Sequence, residues 1–154
     1  MDASVRRLGR LDLETLEILV KHERESFKEG GFSQWELPMF AEHGRLYVLE
    51  VNGKIAGAAQ LLKDWEDPRT AYLAGMSVGP AWRNKGWGKR FIRELMTELN
   101  REGIAEIILT VDPRNAAARR VYEKAGFNAT ETHPDKYGRG EDRIVMRLEL
   151  KEKP

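Results

Sequence analysis

The chain has 154 residues, 41% hydrophobic and 33% charged, which fits one compact soluble domain and excludes a disordered polar chain. Its 26 basic and 25 acidic side chains leave a net charge of +1, so no global field draws it to nucleic acid or an anionic membrane, and any specificity for anions has to be local. With no cysteine it has no disulfides, thiolate zinc sites or cysteine nucleophile, and its three histidines, His22, His43 and His133, lack ligand spacing, so no metal is expected.

The start of the chain, Met1 to Arg7, lacks the apolar run of a signal peptide, and no stretch is long enough to span a bilayer, so a cytoplasmic location is expected. Val5 to Leu8 predicts a short strand, and Asp12 is placed to cap a helix carrying Leu13, Leu16, Leu19, Val20 and Phe27 near helical spacing. From Glu29 to His43 the pattern predicts a loop with short helical pieces. Gly30-Gly31 breaks the chain, Ser33-Gln34-Trp35-Glu36 has the form of a capping box, and Pro38 interrupts the helix that box would start. Arg45 to Val51 and Lys54 to Leu62 predict two strands joined at Asn52-Gly53, the pair that most readily turns a tight hairpin. A polar turn from Asp64 to Arg69 precedes a third strand, Thr70 to Val78, stopped by Pro80.

The second half changes rhythm. Trp87, Phe91, Ile92, Leu95, Met96 and Leu99 fall on one stripe of a helix that Gly103 ends, and Ile104 to Val111 predicts a buried strand. Asn115 is placed to cap a second helix whose Ala118, Val121, Tyr122 and Ala125 share a face, with Gly126 as its stop. A strand from Phe127 to His133, a loop from Pro134 to Asp142 and a final alternating strand through Ile144, Met146, Leu148 and Leu150 complete an α+β chain without repeats or linkers.

The turn after Val78 passes through Pro80 and two glycines into the amphipathic helix and holds Arg83, Lys85, Lys89 and Arg90. Basic residues there oppose the partial positive charge of a helix start, so a bound anion would resolve the conflict. Gly86 and Gly88 lack side chains where a pyrophosphate would approach backbone amides; the alternative is a solvated basic turn in which the glycines only form a cap. Two better-known phosphate loops do not fit. Gly88-Lys89 is followed by Arg90 where a Walker loop needs serine or threonine, and Phe91 stands where a dinucleotide fingerprint needs its third glycine.

Val78-Gly79-Pro80-Ala81-Trp82-Arg83-Asn84-Lys85-Gly86-Trp87-Gly88 resembles motif A of the GNAT N-acetyltransferase family, V-x-P-x-x-[RQ]-x-x-G-x-[GA]. Asn115, Ala118, Tyr122 and Gly126-Phe127 resemble its motif B, N-x-x-[AS]-x-x-x-Y-x-x-x-G-F; the two motifs cover about residues 76–101 and 107–127. The resemblance runs from about Arg45 to Leu150 and is nearest to bacterial ribosomal-protein alanine N-acetyltransferases. It implies one domain over 1–154, with a mixed, mostly antiparallel central sheet splayed in the middle and flanked by helices. It also implies acetyl-CoA as cosubstrate, held by Met76, Ser77, Val78, Arg83, Asn84, Lys85, Gly86, Trp87, Gly88, Lys89, Asn115 and Tyr122. In this picture a backbone amide at Met76 to Val78, taken as that of Val78, polarises the thioester carbonyl, and Asn115 and Tyr122, seven residues apart, face the cofactor. The acceptor amine attacks directly and Tyr122 protonates the departing thiolate.

The resemblance also has departures. The alanine acetyltransferases carry a glutamate five residues before the motif B asparagine, where this chain has Thr110, and of their tyrosine pair before the last strand only Tyr137 remains. Glu23, Glu25 and Glu36 are possible bases, although a solvated surface role fits any one of them better and none is singled out, and Trp35 and Phe32 could line an acceptor pocket or pack in the core. The acceptor is an amine on a small molecule, a protein N-terminus or a lysine, and a monomer or homodimer is expected. A different class also fits some letters: Gly75-Met76-Ser77-Val78-Gly79 is a G-x-S-x-G, with Asp112 and His133 following in serine-hydrolase order, although Pro80 stands where that elbow needs a helix. A third possibility is a non-catalytic domain that binds CoA or a partner, against which Asn115 and Tyr122 argue.

Overall fold

The structure is a computed structural model that describes residues 2–150, so Met1 and residues 151–154 of the expected 1–154 domain lie outside the described residues. Seven strands and four helices follow one another as β1 Ala3–Arg7, α1 Leu13–Phe27, α2 Leu37–His43, β2 Arg45–Val51, β3 Lys54–Lys63, β4 Thr70–Val78, α3 Trp87–Arg101, β5 Glu106–Val111, α4 Ala116–Ala125, β6 Asn128–His133 and β7 Arg143–Glu149. The strands form one mixed sheet in the order β1-β2-β3-β4-β5-β7-β6. β4 and β5 run parallel and pair from Thr70↔Glu106 to Tyr72↔Ile108, while β1-β2, β2-β3, β5-β7 and β6-β7 are antiparallel. Among the described residues no helix is long and apolar enough to cross a membrane.

Local chemistry sets most boundaries. Asn52 and Gly53 take φ of 52° and 78°, the left-handed pair that closes the β2-β3 hairpin with the hand of the strands. Asp12 caps α1 by accepting from the Thr15 amide at 2.8 Å. The inward side of α1 is less apolar than its spacing suggests. Leu13 and Phe27 are exposed, and Leu19 is buried together with His22 and Glu23. The role expected of Pro38 is corrected: α2 starts at Leu37, so Pro38 sits in the first turn, where a missing N–H leaves no helical bond unmade. The Ser33-Glu36 pair closes a turn ahead of it, with the Ser33 amide donating to the Glu36 carboxylate at 3.2 Å and the Leu37 amide to the Ser33 carbonyl at 3.1 Å.

The chain divides into two compact units. The first runs to Leu62 and adds Ala74–Leu95. Its core gathers Leu8, Leu19 of α1, Leu37, Phe40 and Ala41 of α2, Leu46 and Val48 of β2 and Ala58 of β3. In the same unit Gly57 lies under Phe91 of α3, where an added Cβ would stand 3.1 Å from the ring and 2.8 Å from the Ser77 carbonyl, so glycine permits the close approach. The second unit is Lys63–Leu73 with the chain from Met96 onward. There Ile107, Leu109 and Val111 alternate along β5 onto one buried face with Met146, which pairs with Leu109 from β7, leaving Ile108 and Thr110 on the other face with Val145, the partner of Thr110.

Candidate active site

In the first unit β4 ends at Val78 and the chain turns through a short 3-10 segment, Pro80–Trp82, before α3 begins. Asn84 and Gly86 take φ of 61° and 83°, and the Gly86 carbonyl accepts the first helical bond, from the Arg90 amide at 3.2 Å. Asparagine tolerates the left-handed region better than most residues, but nothing in the local sequence marks Asn84 as the position in this turn that takes it. No acidic side chain occupies the first turn of α3. The four cations named for this turn divide into two kinds. Arg90 is held internally by the Ala3 carbonyl at 3.3 Å, Glu94 at 3.5 Å and the face of Trp87 at 5.6 Å. Arg83, Lys85 and Lys89 are exposed; Arg83 Nε donates to the Val78 carbonyl at 3.0 Å and Lys85 Nζ to the Ala81 carbonyl at 3.3 Å.

The glycine at 88 has no explanation within the protein. An added Cβ would meet only Val78 Cγ2, at 3.9 Å, an ordinary contact, and glycine inside a helix costs about 1 kcal/mol relative to alanine. A bare backbone at the start of a helix, with three exposed cations around it, fits a diphosphate.

At the end of β4, the Gly79 amide donates to the Ala56 carbonyl of β3 at 2.8 Å, so strand alternation turns the Val78 N–H and C=O to the opposite edge. There the carbonyl accepts from Arg83 Nε, and the amide faces the same edge. Met76 is half-buried on the same strand, and Ser77 is buried, its Oγ 2.7 Å from His22 Nε2. Burial lowers the His22 pKa.

That contact dismantles the serine-hydrolase constellation. The imidazole beside Ser77 comes from α1, while His133 pairs with Glu131 at 3.1 Å on β6 and Asp112 is held by Arg114 at 2.8 Å and Arg143 at 3.8 Å. Those arginine contacts, with the Arg114 amide, hold the Asp112 carboxyl down to about 2. Between Ser77 and α3 lie Pro80 and the 3-10 turn, so no strand-to-helix elbow presents the hydroxyl.

In the second unit Asn115 and Tyr122 both lie on α4. The Asn115 side-chain oxygen accepts from the Ala118 amide at 3.1 Å, so it caps the helix and only its amide nitrogen is left for a ligand. Tyr122 is half-buried and packs edge-on to Phe127 with ring centroids 5.6 Å apart. Burial pushes the Tyr122 phenol up to about 12. Three further hydroxyls meet in this unit. Tyr72 Oη is 3.2 Å from Thr110 Oγ1 and 3.2 Å from Tyr137 Oη, a junction that sequence reasoning missed because it depends on the long-range β4-β5 register.

The three glutamates named as possible bases also separate. Glu36 is occupied by Ser33, and Glu25 is paired on the surface with Lys21 at 3.9 Å. Glu23 is buried. Gln60 Nε2 donates to one of its oxygens at 3.2 Å, the other is unpartnered, and burial raises its pKa to about 7. Of the two aromatics named for an acceptor pocket, Phe32 packs on Phe40 with centroids 4.8 Å apart, and Trp35 is exposed. Among the described residues no three metal-ligating side chains cluster.

The sequence model of the Acetyltransferase (GNAT) family matches residues 10–127. Over 126 residues the chain is 34% identical to the ribosomal protein bS18-alanine N-acetyltransferase of Escherichia coli strain K12, an alignment spanning 75% of this chain and 81% of that one. The crystal structure of the ribosomal-protein-S18-alanine N-acetyltransferase from Escherichia coli matches with a TM-score of 0.82 at 26% identity, over 99% of this chain and 97% of that one. A Bacillus subtilis acetyltransferase in complex with CoA shares the fold, with a TM-score of 0.77 at 17% identity over 97% of this chain and all (100%) of that one.

Proposed function

Because the chain belongs to the GNAT acetyltransferase family, we propose that it acetylates a primary amine by direct attack on acetyl-CoA, with Tyr122 as the acid for the departing thiolate. It is an N-acetyltransferase, acetyl-CoA is its cosubstrate, and an amine is its acceptor. The proposal takes residues 1–154 as one catalytic domain working in the cytoplasm. The loop amides at Gly86 to Gly88 and the cations Arg83, Lys85 and Lys89 bind the pyrophosphate, and Met76 to Val78 line the pantetheine arm. The Val78 N–H donates to the thioester oxygen as negative charge builds there; such a donor is worth about 3 kcal/mol in a site shielded from water. Asn115 Nδ2 orients the arm from the start of α4.

The observation that carries the proposal is the Tyr122 phenol. Its hydroxyl has no partner among the described residues, and a pKa pushed up to about 12 keeps it protonated through the physiological range. It can therefore supply a proton at the moment the C–S bond breaks. The N–C bond forms, the thiolate leaves as the thiol, and the amine gives up one proton, so the sum is an amide plus free CoA. The glutamate of the alanine acetyltransferases is replaced by Thr110, so the amine's proton leaves by another route.

The related Escherichia coli enzyme, named for an alanine of a ribosomal protein, supports an amino-terminal alanine as the first acceptor to try. The test is thiol release from acetyl-CoA with a peptide beginning with alanine, a lysine peptide, a polyamine, a free amino acid and an amine-bearing antibiotic. Tyr122→Phe is expected to lower kcat by about 100-fold or more while the calorimetric Kd for CoA stays the same. Unchanged kcat removes Tyr122 from the chemistry, and no heat of CoA binding at millimolar concentration removes the cofactor site.

A further inference from the structure

The amine's proton needs an exit, and the second unit holds three hydroxyls in series outside the roles assigned above. Thr110 Oγ1 lies 3.2 Å from Tyr72 Oη, which lies 3.2 Å from Tyr137 Oη. The three come from β5, β4 and the loop before β7, so the fold and not local sequence brings them together. The series has a direction. Thr110 and Tyr72 are half-buried and Tyr137 is 57% exposed, so one end is inside the protein and the other meets water.

The two inner members are tied by chain connectivity to the proposed chemistry. Tyr72 stands four residues before Met76 on β4, the strand proposed to line the pantetheine arm, and Thr110 stands five residues before Asn115, which caps the helix bearing Tyr122. The outer end is held in place by a built loop. The Asp135 amide donates to Asp142 Oδ1 at 2.9 Å, the Gly140 amide to Asp135 Oδ1 at 2.7 Å and the Glu141 amide to the Gly138 carbonyl at 2.9 Å. Two cations flank the Tyr137 ring, Arg143 of β7 at 5.2 Å and Lys136 of its own loop at 5.9 Å. Arg143 is in turn balanced by Glu141 at 3.2 Å and Asp112 at 3.8 Å. A hydroxyl both accepts and donates, so a proton can enter one end of such a series while another leaves the far end.

We propose that Thr110, Tyr72 and Tyr137 form the proton relay that deprotonates the acceptor amine, with Tyr137 delivering the proton to solvent. The inference rests on the acetyltransferase chemistry proposed above and assigns the step that chemistry leaves open. As the N–C bond forms, the inner hydroxyls of Thr110 and Tyr72 take the proton from nitrogen, Tyr72 passes its own to Tyr137, and Tyr137 releases one to water. Tyr122 separately gives its proton to the thiolate and regains one from solvent, so no oxidant or further reactant is needed. The electrostatics favour this direction. Burial raises the Tyr72 pKa, whereas the hydrogen bond from Tyr72, then Thr110, Lys136 and Arg143, lower that of Tyr137. Proton affinity therefore falls from the inner phenol to the outer one.

Tyrosinate absorbance read against pH tests the coupling without an acceptor. The wild type should show one phenol ionising below about 10, the ordinary tyrosine value; it should vanish in Tyr137→Phe and move upward in Tyr72→Phe. The kinetic test uses acetyl-CoA and a peptide beginning with alanine, followed by thiol release. Tyr137→Phe is expected to lower kcat by roughly 100-fold, to leave the Kd for CoA unchanged, and to abolish the rise of kcat with pH that follows the low phenol. Thr110→Val, isosteric and without the hydroxyl, should lower kcat in the same direction with normal thermal melting. A wild-type pH profile in Tyr137→Phe overturns the relay, as does a loss of rate matched by lost CoA binding or earlier melting, which is the mark of a structural tie. A wild type that binds CoA but releases no thiol with any acceptor of the panel overturns the relay and the proposed function together. A wild type that does not bind CoA overturns the cofactor site, while the absorbance titration still reads the hydroxyl coupling.

Discussion

Glu23 is 1% exposed on a helix segment, Lys21-His22-Glu23-Arg24-Glu25, whose letters read as a solvated charged face. The residue itself was legible as a candidate base; its burial was not, because that depends on Gln60 of β3 and on the backbone near Gly31 closing over it. Burial raises its pKa from 4.5 to about 7. A carboxyl with a raised folded value keeps its proton in the native state longer than in the unfolded chain. Stability is therefore greatest below about pH 4.5 for this group and falls as pH climbs toward about 7, by roughly 3 kcal/mol at about 1.4 kcal/mol per unit. Glu23→Gln keeps the shape and removes the titration. Urea midpoints measured from about pH 5 to 8 should decline in the wild type and stay level in the variant; parallel curves would clear Glu23 of the effect. At Tyr122 the order is reversed: the role proposed for it comes from motif spacing, and burial pushes its phenol up to about 12.

Helix boundaries and the hairpin were read well because their signals lie within a few residues. Asp12, Asn115, Gly126 and the Asn52-Gly53 turn all act where the sequence placed them. Pro38 was misjudged because a proline is disruptive inside a helix and harmless in its first turn, and only the start of α2 at Leu37 distinguishes the two. At α3 the amphipathic stripe gave the helix, with Phe91, Ile92, Leu95 and Leu99 all buried. The loop before it was visible as glycine and charge but not as the left-handed bend at Asn84. Gly88→Ala separates fold from ligand. Thermal stability should hold or rise by up to about 1 kcal/mol, because alanine suits a helix better and the new Cβ makes an ordinary contact. The calorimetric Kd for CoA should weaken by about 10-fold or more, since the methyl would fill the place proposed for the pyrophosphate. Tight binding by this variant would mean the bare backbone is not the cradle.

For the whole molecule, the sequence supplied element order and strand count, whereas the partners of β4 and β5 join residues far apart in the chain, Tyr72 with Ile108, and no local pattern encodes them. That is why the hydroxyl series escaped notice while the two motifs did not. With a net charge of +1, the chain has no global field to hold an anion, so the coenzyme has to stabilise the fold through its own site. Acetyl-CoA at about a hundred times its Kd should add about 2.7 kcal/mol, a rise in Tm of roughly 5–10 °C for a chain of this size. The rise should shrink in Gly88→Ala, and a Tm indifferent to acetyl-CoA would contradict the site. The Arg83 bond to the Val78 carbonyl has one more consequence. A strand end with an open acceptor is a template for stray β-pairing between molecules, and a guanidinium laid over that oxygen blunts it. The arginine proposed to bind the coenzyme is thereby also placed to disfavour pairing between molecules at that strand end.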